Sequence, residues 1–154
     1  MAVEVGQRAP EFTLKDTDRN DRSLSEFLGK NVVLAFMPGA FTGVCTAECV
    51  HFRDNGAAYA NLNAQVIGIT VDSPFAQKGW ADANQITFPL LSDWPQNEVA
   101  KAYDVWWPES SIAHRVTYVI DKEGIVRGVI ESETDMEVHS RDALRIVKEL
   151  AGKQ

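Results

Sequence analysis

The sequence predicts an α/β fold in which a mixed central sheet carries helices on both faces. Two apolar runs, at 32–37 and 65–71, are typical of buried strands, and the segment between them favours a helix. A strand, a helix and a strand form a βαβ unit with a right-handed crossover, so the two strands are parallel. A further helix and then a hairpin pattern follow, and a hairpin adds antiparallel strands. Because no repeat or linker interrupts these patterns, we expect one domain over residues 1–154.

Each element follows from a local pattern. The first half contains a short strand at 12–14, a polar turn at 16–22, a helix at 23–28 with a capping box and a terminal glycine, the strand at 32–37 and a helix at 50–62. The second half contains the strand at 65–71, a helix that Ser73 caps and Pro74 begins, a short strand at 88–91, a helix at 97–103, an irregular stretch at 104–112, strands at 115–120 and 125–130, and a last amphipathic helix capped by Ser140.

The reactive residue types are concentrated between the first central strand and the helix that follows it. Pro38 ends the strand because it has no N–H to donate to a central sheet, and Thr42 is a suitable N-cap. A helix that starts after Thr42 and continues into the segment 50–62 places Cys45 in its first turn, where free N–H groups and the helix dipole favour an anion. Cysteines at helix starts ionise readily, so Cys45 is a candidate thiolate. The alternative is a buried cysteine that acts as a small apolar side chain.

The spacing of these residues resembles the signature of a known family, the peroxiredoxins. Pro38, Thr42 and Cys45 form P-x-x-x-T-x-x-C, and Glu48 extends the pattern to T-x-x-C-x-x-E. Three further segments are similar to that family in the same order: 6–14, 88–93 and 115–124. The resemblance covers residues 3 to 150 and is strongest toward the alkyl hydroperoxide reductase E-type branch.

The resemblance implies a thioredoxin-like fold with an N-terminal extension, and a thiol-dependent peroxidase that reduces hydrogen peroxide or organic hydroperoxides. It implies that Cys45 is the peroxidatic nucleophile and that Arg115 reaches it from a distant strand. Glu48 would orient that arginine, and Pro38 would shield the sulfur from water. Thr42 can supply a hydroxyl near the sulfur, and the first-turn backbone N–H groups of residues 44 and 45 can stabilise growing negative charge.

A cysteine that attacks a peroxide becomes a sulfenic acid, and a second thiol must then condense with it. Cys49 is the other cysteine of the chain, and the i, i+4 spacing places it on the same helix face as Cys45. An intact helix holds two such residues near the upper limit for a disulfide, so a bond would require the first turn to unwind. Resolution by Cys49 and resolution by an outside thiol, either a thioredoxin-like protein or a low-molecular-weight thiol, both stay open at this point.

Composition argues against several other classes of protein. The chain has 15 Lys and Arg against 22 Asp and Glu, and the net charge of −7 disfavours binding to nucleic acid or to an anionic membrane. The N-terminal residues lack a secretory signal, and no apolar run approaches about 18 residues, so we expect a cytoplasmic protein. Cys45, Cys49 and His51 are a poor zinc set, and no dinucleotide fingerprint is present, so we expect neither metal nor cofactor.

Two other hypotheses compete with the peroxidase. A thiol–disulfide exchange protein is disfavoured because the chain has C-x-x-x-C where such proteins have C-x-x-C. A peroxide sensor would react once and then stall even when reductant is plentiful. The expected partners are a peroxide and a thiol reductant, and the resemblance implies a homodimer or a larger homo-oligomer. The apolar stretch 106–108 is compatible with either a subunit contact or the entrance to the site.

Overall fold

The computed structural model describes residues 3–40 and 43–152. In chain order its elements are β1 (Thr13–Lys15), β2 (Asp21–Ser23), α1 (Leu24–Phe27), β3 (Asn31–Phe36), α2 (Gly43–Asp54), α3 (Gly56–Asn61), β4 (Ala64–Thr70), α4 (Pro74–Asn84), β5 (Leu90–Ser92), α5 (Glu98–Ala102), β6 (Trp106–Trp107), β7 (Ile112–Ala113), β8 (Val116–Ile120), β9 (Val126–Glu131) and α6 (Met136–Ala151). Within these two ranges no helix combines the length and the apolar character needed to cross a membrane.

The described residues form a seven-stranded sheet in the order β2-β1-β5-β4-β3-β8-β9, and β6 pairs with β7 separately. The strands β3, β4 and β5 are parallel, whereas β8 runs antiparallel to β3 and β9 antiparallel to β8. The mixed sheet predicted from the βαβ unit and the late hairpin is therefore confirmed. The segment before β3 supplies β1, β2 and α1, which form the predicted N-terminal extension.

Apolar side chains cover both faces of the central strand, and every residue of β3 is buried. On one face Leu34 and Phe36 belong to a cluster with side chains of α1 and α5. On the other face Val33 and Ala35 pack with side chains of α2, α3 and α6. A strand buried on both faces has no solvent-facing side, which explains why the run at 32–37, after the buried Asn31, is continuously apolar.

The single helix expected at 50–62 is wrong, because the structure has two helices there. The first begins at Gly43, and Asn55 separates it from the second, which begins at Gly56. Asparagine and glycine are both poor helix formers. The Asn55 side chain instead donates from Nδ2 to Ser140 Oγ at 2.9 Å, which ties the break to α6.

The prediction that Ser140 caps the last helix is also wrong. The helix begins one turn earlier, at Met136, and the Asp135 side chain accepts from the Val138 N–H at 3.2 Å. Aspartate is as good an N-cap as serine, and Asp135 stands more than one turn before the predicted cap. Ser140 lies buried inside α6, where its carbonyl accepts from the Tyr59 hydroxyl at 2.7 Å.

Two short pairings were not predicted. The polar turn at 16–22 ends in β2, which pairs antiparallel with β1. The irregular stretch at 104–112 contains β6 and leads into β7, and these two-residue strands pair through Trp106 with Ala113 and Trp107 with Ile112. Segments this short carry too few residues to show a period in the sequence.

Candidate active site

The first turn of α2 holds Cys45, as the sequence predicted. The helix begins at Gly43, and the thiol is completely buried. The Gly39 N–H points at the sulfur from the loop after β3, with 3.4 Å between N and Sγ. Thr42 lies outside the described residues, so its predicted roles as a cap and as a hydroxyl donor stay predictions.

Arg115 reaches the same point from the far end of the chain. The strand β8 runs antiparallel to β3 in a register that pairs Val116 with Phe36. Arg115 therefore lies beside the residue at which the chain leaves β3 for the loop. The residue is buried, at 7% exposure, and Nη1 lies 3.0 Å from Cys45 Sγ. The sheet register thus brings a cation to the start of α2.

Glu48 lies one turn after Cys45 and is also completely buried. Its Oε1 atom lies 3.6 Å from Arg115 Nη1, and neither carboxyl oxygen has a hydrogen-bond partner among the described residues. Burial raises the pKa of Glu48 to about 8, although the charge of Arg115 opposes that shift. The carboxyl is therefore largely protonated at neutral pH. A neutral Glu48 does not repel negative charge on the neighbouring sulfur.

The loop that Pro38 begins is anchored by a carboxylate that the sequence did not single out. The last ladder bond before Pro38 joins Met37 N to Ile69 O at 2.9 Å. Asp72 Oδ2 then accepts from Ala40 N at 2.6 Å. The Thr70 hydroxyl donates to the same oxygen at 2.7 Å. Asp72 follows β4, and the carboxyl ends of parallel neighbours meet at one edge of a sheet, so its position after the strand was the available signal.

Cys49 belongs to the core in this conformation. Its side chain is completely buried and packs with Met37, Trp80 and Leu90. Cys49 Sγ donates to Met37 Sδ at 3.5 Å, and burial raises the pKa of the thiol well above its usual value. Both cysteines are reduced thiols in this structure.

Glu133 is a second residue near the arginine that sequence reasoning missed. Its Oε1 atom accepts from the Arg115 main-chain N–H at 3.1 Å, and Oε2 lies 3.1 Å from His114 Nδ1. Glu133 follows β9 in the chain, and only the pairing of β8 with β9 places it beside Arg115. No local pattern in the sequence marks it.

Two tryptophans contact residues next to Arg115 and Cys45. Trp107 stacks on His114, with ring centroids 4.8 Å apart and planes within 8°. The stretch at 106–108 therefore lies next to the residue that precedes Arg115. Trp80 is buried in the core, and its Nε1 donates to Thr46 Oγ1 at 3.0 Å, which fixes the first turn of α2 against α4.

Comparison with known proteins places the chain in a family. A family model described as the AhpC/TSA family matches residues 5–129. The chain is 42% identical over 127 residues to alkyl hydroperoxide reductase E of Mycobacterium tuberculosis, an overlap that covers 81% of this chain and 83% of that protein. It is 33% identical over 160 residues to peroxiredoxin Bcp of Bacillus subtilis, covering 99% and 100%. It also superposes on the crystal structure of peroxidoxin BcpB from Mycobacterium tuberculosis with a TM-score of 0.90, 34% identity and coverage of 96% and 98%.

The fold and these relatives define a class of enzyme, the thiol-dependent peroxidases with a thioredoxin-like fold. The chain belongs to the AhpC/TSA family and is a peroxiredoxin. The resemblance inferred from Pro38, Thr42, Cys45 and Glu48 is thereby confirmed at the level of the family.

Proposed function

We propose that the enzyme reduces hydrogen peroxide or organic hydroperoxides through a sulfenic acid on Cys45. The observation that carries this proposal is the 3.0 Å contact between Arg115 Nη1 and Cys45 Sγ in the first turn of α2. A guanidinium and a helix N-terminus both stabilise negative charge on sulfur. The thiolate is the nucleophilic form of cysteine, so this contact supports Cys45 as the attacking residue.

In the proposed step the Cys45 thiolate donates an electron pair to one peroxide oxygen. The S–O bond forms as the O–O bond breaks, and the leaving oxygen takes up a proton and departs as water or an alcohol. Sulfur is oxidised by two electrons, and the peroxide is reduced by two. Arg115 Nη1 and the Gly39 N–H both point at the sulfur, and we assign them to stabilise the charge that grows on oxygen. Thr42 and the N–H groups of residues 44 and 45 complete this set of donors in the proposal.

The remaining site residues are proposed to support this arrangement. Glu48 contacts the guanidinium and, being largely protonated, does so without placing a full negative charge beside the thiolate. Pro38 begins the loop that carries Gly39 over the sulfur and is proposed to keep bulk water away from it.

We propose that an external thiol, either a low-molecular-weight thiol or a thioredoxin-like protein, returns Cys45 to the reduced state. The burial of Cys49, its bond to Met37 and its raised pKa all disfavour attack by that thiol while α2 is folded. The resemblance to peroxiredoxins also supports a homodimer or larger homo-oligomer, which light scattering of the reduced protein tests.

Oxidation of matched cysteine variants tests the proposed nucleophile. Reduced wild-type protein, Cys45→Ser and Cys49→Ser are each mixed with one equivalent of hydrogen peroxide and a sulfenic-acid trap, and their intact masses are measured. We expect wild type and Cys49→Ser to gain the trap and Cys45→Ser to gain nothing. Rapid peroxide consumption by Cys45→Ser would contradict the proposal. Sustained consumption when excess dithiol is present separates an enzyme from a sensor that reacts once.

A further inference from the structure

Arg115 lies between two carboxyl groups that differ in their surroundings. Glu48 approaches only the tip of the guanidinium, at 3.6 Å from Nη1. Glu133 approaches the other end, at 3.9 Å from Nε, and also accepts from the main-chain N–H of Arg115 at 3.1 Å. Glu133 therefore contacts Arg115 both at its main-chain N–H and at the Nε atom of its guanidinium.

The two carboxyl groups also differ in charge. Glu48 is completely buried, and its raised pKa leaves it largely neutral at pH 7. The Glu133 side chain is 47% exposed, and its negative charge is one of those that act on Glu48. His114 Nδ1 lies 3.1 Å from Glu133 Oε2, whereas the contacts with Arg115 are made through Oε1. The carboxylate that balances the guanidinium is thus Glu133.

A fixed loop presents Glu133 to the arginine. Ser132 O accepts from His139 Nε2 at 2.8 Å, and Ser132 Oγ accepts from the Asp135 N–H at 3.0 Å. His139 is buried, and burial lowers its pKa, so the neutral ring donates from Nε2 and accepts at Nδ1 from the Thr117 hydroxyl, 2.8 Å away. Thr117 lies on β8, two residues after Arg115. The loop that carries Glu133 and the arginine are therefore both held by contacts with β8.

We propose that Glu133 is a positioning residue that holds the Arg115 guanidinium against the Cys45 sulfur before peroxide arrives. This inference rests on the proposed function of the site. Glu133 does not touch the sulfur, and it acts through the arginine. Preorganised donors stabilise a transition state because they need not be reoriented as charge develops, so a guanidinium that is less well held is a weaker donor.

Three variants separate charge, contact and general effects. Glu133→Gln keeps an oxygen that can accept from the Arg115 N–H but removes the charge, whereas Glu133→Ala removes both. Glu131→Gln is the matched control, because it removes one exposed negative charge at the end of β9, where Glu131 has no hydrogen bond or ion pair with Arg115 among the described contacts. Stopped-flow measurement of hydrogen peroxide consumption gives the rate constant for each reduced protein.

We expect Glu133→Gln to lower the rate constant about tenfold and Glu133→Ala by up to about a hundredfold, since small misplacements of a catalytic group have effects of this size. Glu131→Gln should stay within about twofold of wild type, as most surface substitutions do. Circular dichroism checks folding, and if the alanine variant fails to fold, the isosteric glutamine variant alone decides the result.

A second readout tests whether the charge of Glu133 acts at the buried site. The negative charge of Glu133 is one of the causes that raise the pKa of Glu48. Carboxyl NMR should therefore show Glu48 titrating at lower pH in Glu133→Gln than in wild type, and at an unchanged pH in Glu131→Gln. An unmoved titration would show that the charge of residue 133 does not act at the guanidinium and Glu48, and the rates of Glu133→Gln and Glu131→Gln then decide whether that charge positions Arg115.

The combined outcomes decide the inference. A slower reaction of Glu133→Gln than of Glu131→Gln supports it, most directly when the Glu48 titration is also lowered. A rate constant within about twofold of wild type overturns it, whatever Glu48 does. Failure of the proposed function is a different result, because wild-type protein itself would then consume no peroxide.

Discussion

The Nη1 atom of Arg115 lies 3.0 Å from the Sγ atom of Cys45, although 70 positions separate the two residues in the chain. Neither residue is close to the other in any local element. The antiparallel pairing of β8 with β3 aligns Arg115 with the end of β3, and the loop that follows leads directly into α2. The contact between nucleophile and cation therefore depends on the register of the central sheet.

Replacing Arg115 by alanine should slow peroxide reduction by about 10²–10³-fold, because one preorganised donor contributes about 2.7–4 kcal/mol to transition-state stabilisation. The sulfur would lose the cation at 3.0 Å while retaining the Gly39 N–H. Stopped-flow peroxide consumption measures the rate, and circular dichroism tests whether the fold is intact.

The matched control is Arg127→Ala. Arg127 pairs with Asp121 at 2.7 Å, and its side chain is 43% exposed on β9. This variant should react as wild type does. Equal rates for Arg115→Ala and wild type would remove Arg115 from the proposed mechanism.

Replacing Glu48 by glutamine should change the pH dependence of stability. The Glu48 carboxyl titrates near 4.5 in the unfolded chain and at about 8 in the folded protein. Between these values the folded state binds one more proton, so this group makes the free energy of unfolding fall as pH rises, by up to about 1.4 kcal/mol per pH unit. Glutamine does not titrate, so urea unfolding should show Glu48→Gln gaining stability relative to wild type as pH rises through this window.

The control for that measurement is Glu131→Gln, which removes an exposed carboxylate on β9. Its stability difference from wild type should not vary with pH in the same window. A Glu48→Gln curve that runs parallel to wild type would show that Glu48 does not hold its proton in the folded state.

Replacing Cys49 by alanine should leave the reaction of Cys45 with peroxide nearly unchanged. Cys49 is hydrogen-bonded to Met37 in the core rather than directed at the reactive sulfur. Its loss should therefore lower the free energy of unfolding by roughly 1 kcal/mol and leave the rate of peroxide reduction unchanged. Mass spectrometry after one equivalent of peroxide should find the same trapped sulfenic acid in this variant and in wild type.

A disulfide that forms within the wild-type chain and is lost in Cys49→Ala would contradict the proposal that an external thiol resolves the sulfenic acid. It would mean that the first turn of α2 unwinds after oxidation and frees Cys49 from its contact with Met37.

Replacing Asp72 by alanine should lower the rate of peroxide reduction about tenfold, because displacement of a catalytic group by a fraction of an ångström has effects of this order. Asp72 accepts from the Ala40 N–H at 2.6 Å and thereby fixes the loop whose Gly39 N–H points at the sulfur. The same stopped-flow assay measures the rate, and thermal unfolding reports the cost to the fold.

Asp82→Ala is the matched substitution for Asp72→Ala. Asp82 is exposed on α4, where it forms an ion pair with Lys78 at 3.4 Å and has no part in anchoring the loop. If both aspartate variants react equally fast, the anchoring of the loop has no part in the reaction.

Several elements could be predicted because the interactions that form them are local. Ser73 caps α4 and Pro74 begins it, as their sequence order indicates, and Ser73 Oγ accepts from the Ala76 N–H at 3.2 Å. The placement of Cys45 in a first helical turn follows in the same way from the proline and helix-start pattern before it. Caps, turns and buried strands are determined by a few neighbouring residues, so they can be predicted from the sequence.

Other features were missed because they depend on distant parts of the chain. Ser140 has the local chemistry of a cap, but the buried contacts of Tyr59 and Asn55 place it inside α6. Glu133 has no motif at all and becomes a neighbour of Arg115 only through the β8–β9 hairpin.

Local sequence patterns were sufficient to predict the class of the protein, the two parallel strands of its βαβ unit and the position of a cysteine at a helix start. Tertiary structure alone decided which charges surround that cysteine: the depth at which Glu48 is buried, the arrival of Arg115 and the second carboxylate of Glu133. Desolvation and ion pairing depend on distances in the folded structure, and the number of residues between two positions in the chain does not give those distances.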